Sequence, residues 1–108
     1  MNPNSNQKRI AFGYMRDRNN KIILYEGQAA AVKLIYMQYL DGRGLRGIKQ
    51  TLEGIGAPSP YNRKSWGIQS ISNILSNPHY TGDDIYPQII TQEMFDEVQE
   101  LKAAKTTG

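Results

Sequence analysis

A chain of 108 residues with a formal charge of +3 has room for one ordinary domain and one modest core, not two. It contains no Cys, which excludes disulfides and Cys-based zinc sites, and its one histidine, His79, cannot build a metal site unaided. No apolar run approaches the length of a membrane span and no signal peptide opens the chain, so the expected location is the cytoplasm.

Residues 1 to 11 are expected to be a flexible arm or a boundary segment, because the opening stretch is polar and without periodicity. Two β-prone runs, Ile10 to Arg16 and Lys21 to Tyr25, flank an Asn-rich turn and predict a short hairpin. Val32, Ile35, Tyr36 and Tyr39 fall at spacings of three and four, which predicts an amphipathic helix from Ala29 to Leu40, stopped by the glycines of Asp41 to Gly44. A second helix is predicted from Leu45 to Ile55, with Leu45, Ile48, Leu52 and Ile55 on its apolar face and Arg46, Lys49, Gln50 and Glu53 on the other. Gly47 weakens that helix. The Gly- and Pro-rich stretch from Gly56 to Pro60 breaks it, and the basic loop Tyr61 to Lys64 follows.

Ser65 is the expected N-cap of a third helix, Trp66 to Ser76, whose inward face is Ile68, Ile71, Ile74 and Leu75. Asn77 before Pro78 ends it. After an irregular stretch, Thr91 is expected to cap a last helix with Met94, Phe95, Val98 and Leu101 as its core face. The fold class is therefore mainly α with a small β component: a helix-turn-helix-like core, an N-terminal hairpin and a C-terminal helix. The domain is expected over residues 12 to 102, with a tail at 103 to 108.

No catalytic constellation appears. The serines lack an adjacent base, no phosphate-cradling glycine motif occurs, and no cofactor, metal or small-molecule substrate is expected. Asp83 and Asp84 offer too few oxygens for a hard cation and read as a solvated pair. Trp66, Tyr61 and Tyr80 are read as core anchors rather than stacking platforms.

Charge is unevenly spread. Arg43, Arg46, Lys49, Arg63 and Lys64 face only Glu53 between residues 43 and 80, whereas 81 to 100 holds six acids and no base. Such a distribution suits a basic face that tracks a polyanion and an acidic face turned elsewhere. The second and third helices resemble a helix-turn-helix core, although the loop between them exceeds the usual three or four residues. The outer face of the third helix is small and amide-rich. Gln69, Ser70 and Asn73 are the candidates for reading base edges, since Gln and Asn bond adenine bidentately and Ser bonds several bases. Arg43, Arg46, Lys49, Arg63, Lys64, Lys8 and Arg9 are the candidates for phosphate contact.

From Gly13 to about Leu101 the chain resembles the recombinase domain of large serine recombinases. Trp66, Ile71, Ile74-Leu75, Asn77-Pro78, Tyr80 and Gly82 have the form W-x-x-x-x-V-x-x-I-L-x-N-P-x-Y-x-G. Leu40 to Leu45, with Ile48 in register, has the form of the passage Y-x-x-G-x-S-x-x-x-I. Leu52 to Pro60 resembles L-N-x-x-G-I-P-T-P, and Ile89-Ile90-Thr91 with Phe95 and Val98 resembles I-I-s-x-e-x-F-x-x-V. Gly67 departs from the hydroxyl residue usual after the tryptophan, and Asp83-Asp84 stands where apolar residues are usual. The resemblance implies a larger parent, in which an upstream catalytic domain carries the nucleophilic serine and zinc-ribbon and coiled-coil parts follow. It implies a module that is not itself the enzyme, nucleoid-associated when bound. Its partners would be double-stranded DNA and the rest of the parent recombinase, and it would read part of an attachment-site half-site. The residues alone also leave open a stand-alone helix-turn-helix regulator, or a protein-interaction domain using its acidic last helix.

Overall fold

The computed structural model describes residues 10–60 and 63–106. Its elements are β1 (Tyr14–Arg16), β2 (Ile22–Leu24), α1 (Glu26–Leu40), α2 (Leu45–Gly54), α3 (Ile68–Leu75), a 3₁₀ turn (Pro78–Thr81) and α4 (Gln92–Thr106). The mainly helical architecture with a small hairpin is the one the sequence predicts.

The hairpin is antiparallel, with Tyr14 opposite Leu24 and Arg16 opposite Ile22. Its turn is built by local chemistry. Asp17 accepts hydrogen bonds from the amides of Asn19 (2.8 Å) and Lys21 (2.9 Å), and Asn20 takes the left-handed backbone conformation with φ of 66°. Just before β1, Gly13 has φ of +108° and packs so closely that a Cβ there would come within 3.1 Å of Ile89 and 3.3 Å of Val32. That contact seats the hairpin on α1 and on the stretch leading to α4.

α1 is the central element. Val32, Ile35, Tyr36 and Tyr39 are buried as their spacing predicts, together with Ala29 and Ala31. The helix begins at Glu26, earlier than the apolar pattern does, because its first turn is solvent-exposed and carries no periodic signal. α4 packs on α1, and α2 packs on α3. Val98 is the fully buried residue of α4, with Met94, Phe95 and Leu101 half-buried around it. Thr91 caps α4 as expected, its hydroxyl accepting from the Met94 amide at 3.0 Å.

Three tyrosines put aromatic bulk in the core while their hydroxyls satisfy stray carbonyls. Tyr36 donates to Ile74 O (2.7 Å), Tyr80 to Phe12 O (2.7 Å) and Tyr14 to Pro87 O (2.6 Å). Burial pushes all three phenols well above their ordinary range, so they remain neutral donors.

Three local expectations are corrected. The third helix starts at Ile68, with Gly67 as its N-cap and no side-chain cap bond, rather than at Trp66 behind Ser65. The reason is tertiary: the Trp66 amide is taken by the Glu53 carboxylate at 2.7 Å, and the indole is pulled into the core. Ile68, expected to face inward, is the first residue of the helix and is exposed. α2 likewise ends at Gly54, which leaves Ile55 as an exposed C-cap.

Candidate nucleic-acid interface

The solvent side of α3 is set by its three buried residues, Ile71, Ile74 and Leu75. At helical spacing they leave Gln69 and Asn73 exposed and Ser70 half-buried. Gln69 Nε2 donates to Asn73 Oδ1 at 2.9 Å, so the two amides form one unit along the helix. That bond uses one donor and one acceptor and leaves the pair with both a donor and an acceptor to present outward.

Ser70 and Asn73 open onto a groove of about 570 Å³, formed between α3 and the chain entering β1. Ile10, Ala11 and Phe12 form its opposite wall, and Asn77 extends its polar lining beyond the end of the helix. Sequence reasoning did not single out Asn77, which stands before a proline and reads as a helix stop. The signal was its position, four residues after Asn73 on the same face. Asn77 also organises the following turn, accepting from the His79 amide at 3.0 Å.

Arg43, Arg46, Arg63 and Lys64 are all exposed. Among the described residues the ion pairs are Lys49–Glu53 and His79–Asp83, so none of those four cations is neutralised by an acid. Arg63 and Lys64 are placed by buried Ser59: the Arg63 amide donates to Ser59 Oγ and the Ser59 amide to Arg63 O, each at 3.1 Å. This clasp fixes the loop at Ser59 and Arg63. Lys8, Arg9 and Tyr61 lie outside the described residues.

Lys49 has a different setting from the other cations. Its ammonium lies 2.6 Å from Glu53 and donates to Trp66 O at 2.7 Å. Glu53 in turn receives the Trp66 amide, and these contacts hold its carboxyl below the usual carboxylate range. Trp66 also donates its indole N–H to Ala57 O (2.8 Å) and meets Phe12 edge-on at 5.4 Å. The lysine and glutamate of α2 thus clamp the backbone that leads into α3. The i,i+4 spacing of Lys49 and Glu53 is a visible signal for the pair, but nothing local says that it closes on a tryptophan thirteen residues away.

Asp83 stands apart from Asp84. It accepts from the amides of Ile85 (2.8 Å) and Tyr86 (2.7 Å), and His79 Nδ1 donates to it at 2.7 Å. Those bonds, with the Tyr86 amide foremost, lower its carboxyl to about 2. Among the described residues no cluster of three or more metal-ligating side chains occurs, and no helix is long and apolar enough to cross a membrane.

The fold defines a class that comparison makes specific. A family model described as Recombinase matches residues 26–105. The chain belongs to the Recombinase family, and its fold is that of the recombinase domain of large serine recombinases. A chain from a crystal structure of a large serine recombinase–DNA complex superposes with a TM-score of 0.69 over 89% of this chain at 25% identity. A second chain, from work on the sequence requirements of the Listeria innocua prophage attP site, gives the same TM-score and coverage at 24% identity. This chain spans 32% and 43% of those two chains. No curated protein matches it.

Proposed function

We propose that this domain is a DNA-binding module of a large serine site-specific recombinase, and that it reads part of an attachment-site half-site. The observation that carries the reading is its likeness, over 89% of its length, to a large serine recombinase crystallised with DNA. The surface supports it in detail. Gln69 and Asn73 stand exposed as a coupled amide pair, and their remaining donor and acceptor match the N6 donor and N7 acceptor of adenine in the major groove. Ser70 and Asn77 extend the polar line beside them. Arg43, Arg46, Arg63 and Lys64, with Lys8 and Arg9 of the N-terminal arm, supply sequence-independent phosphate contacts. Lys49, whose ammonium is already engaged, serves the fold instead. The covalent chemistry of recombination belongs, in this reading, to a serine-bearing catalytic domain of the parent.

The test is a pair of titrations across salt concentration, one against duplex sites enriched from a random pool and one against arbitrary duplex. The reading requires tighter binding to the enriched sites and a steep fall of both affinities with salt. Absence of duplex binding at low salt would refute it.

A further inference from the structure

Gly47 lies in the first turns of α2, where helix propensity disfavours a glycine and no positive φ calls for one. The space around it supplies a reason. A Cβ at Gly47 would fall 2.7 Å from Arg43 Cγ, 3.1 Å from its Cδ and 3.6 Å from its Nη1. The stem of Arg43 therefore lies across the bare backbone of Gly47. Nearby Gly42, Gly44, Gly54 and Gly56 show no such neighbour: a Cβ on any of them meets nothing within 4 Å.

The clash is relieved only by moving the Arg43 side chain. Cγ is the first atom beyond Cβ, so clearing it demands a new χ1, and a new χ1 swings the whole side chain elsewhere. The backbone of Arg43 is tied as well, since its amide donates to Gln38 O at 3.0 Å and that of Gly42 to Tyr39 O at 3.0 Å. Among the described residues no ion pair or hydrogen bond engages the Arg43 guanidinium. The arrangement gives a long cation a fixed course over the helix while leaving its charged end unspent.

We propose that Gly47 is a positioning residue for DNA binding: by having no side chain it lets Arg43 lie across α2, with its guanidinium set in advance for a phosphate. This rests on the DNA-binding reading. Pre-ordering the stem lowers the entropy lost when the phosphate is met. The small residue at position 47 thus acts on affinity through Arg43, four residues earlier, and touches no DNA itself.

The experiment compares the wild-type chain with Arg43→Ala, Gly47→Ala and the double variant, each titrated with duplex DNA across salt concentration and melted by circular dichroism. Arg43→Ala is expected to reduce the slope of log affinity against log salt by about one unit. Gly47→Ala is expected to lose a large part of that same unit while its melting temperature holds or rises. In the Arg43→Ala background, Gly47→Ala is expected to change neither slope nor affinity. The proposal is overturned if Gly47→Ala binds like wild type while Arg43→Ala does not. It is equally overturned if Gly47→Ala weakens binding as much without Arg43 as with it, which would mark a helix defect. An unchanged slope in Arg43→Ala would also overturn it, with wild-type binding still standing for the broader reading. Failure of the wild-type chain to bind duplex at all is the separate outcome that removes both.

Discussion

Single residues here divide between holding the core and facing outward, and Trp66 is the clearest of the first kind. It is 2% exposed, hydrogen-bonded through its indole, its amide and its carbonyl, and in edge contact with Phe12. Trp66→Ala is expected to cost about 3 to 5 kcal/mol in a denaturant titration, through the cavity it leaves and the loss of the Ala57 bond. Gln69 and Asn73 are of the second kind. Replacing either with Ala should cost about 1 to 3 kcal/mol on an enriched site, with adenine preference reduced and affinity for arbitrary duplex nearly unchanged. Equal losses on both DNAs would show that these side chains meet only backbone. Asp83 makes a third case, through acid stability. Its folded carboxyl sits at about 2 against an ordinary 3.8, so the unfolded chain binds its proton first as pH falls. The stability it contributes is present above about pH 4 and is lost as pH drops towards 2. Asp83→Asn should therefore flatten that part of the acid-unfolding profile, and an unaltered profile would disprove the role.

At the scale of elements, the join between α2 and α3 matters most. The stretch expected as a loop, Gly56 to Ser65, is fastened at two places: Ser59 and Arg63 clasp its middle, and the Lys49–Glu53 pair grips Trp66 just beyond its end. Glu53 accepts the Trp66 amide ahead of α3, in the place where a Ser65 cap was expected. Glu53→Ala should then lower the melting temperature and speed hydrogen exchange at the start of α3. Lys49→Met should also destabilise the domain, yet leave the salt dependence of DNA binding where it was, because its charge is spent internally. A fall of about one unit in the salt slope would instead return Lys49 to the phosphate contacts. The hairpin offers a contrast. Its turn rests on contacts among residues 16 to 21, all close in sequence, and so it was legible without any tertiary information.

Over the whole molecule, charge and shape act together. Arg43 precedes α2, Arg46 and Lys49 lie on it, and Arg63 and Lys64 lie in the loop before α3, while the acids of 83 to 100 lie on the stretch after the 3₁₀ turn and on α4. Charge segregated in this way along the chain favours approach of a polyanion to the basic segment. Replacing Arg63 and Lys64 together with Ala should weaken binding to all duplexes alike and reduce the salt slope by up to about two units. If slope and affinity both hold, Arg63 and Lys64 stand away from the phosphates. The intact domain should unfold in a single step, since α1 carries core residues that meet the hairpin, α3 and α4 alike.

Sequence by itself determined the helices wherever their apolar residues recur at three and four: Val32, Ile35, Tyr36 and Tyr39 in α1, Ile48 and Leu52 in α2, and Ile71, Ile74 and Leu75 in α3. Periodicity records which side of a helix must leave water, and that demand is local. It also determined the exposure of Gln69 and Asn73, as the complement of the buried face. Tertiary structure decided what depends on distant partners. Trp66 is held outside α3 by Glu53 and Ala57, and the Lys49 ammonium is engaged by Glu53 and the Trp66 carbonyl. Gly47 shows the difference most plainly. Read in sequence it is a weak point in a helix, because propensity counts only the residue's own backbone. In the fold it is the space that Arg43 occupies, and only the packed geometry contains that fact.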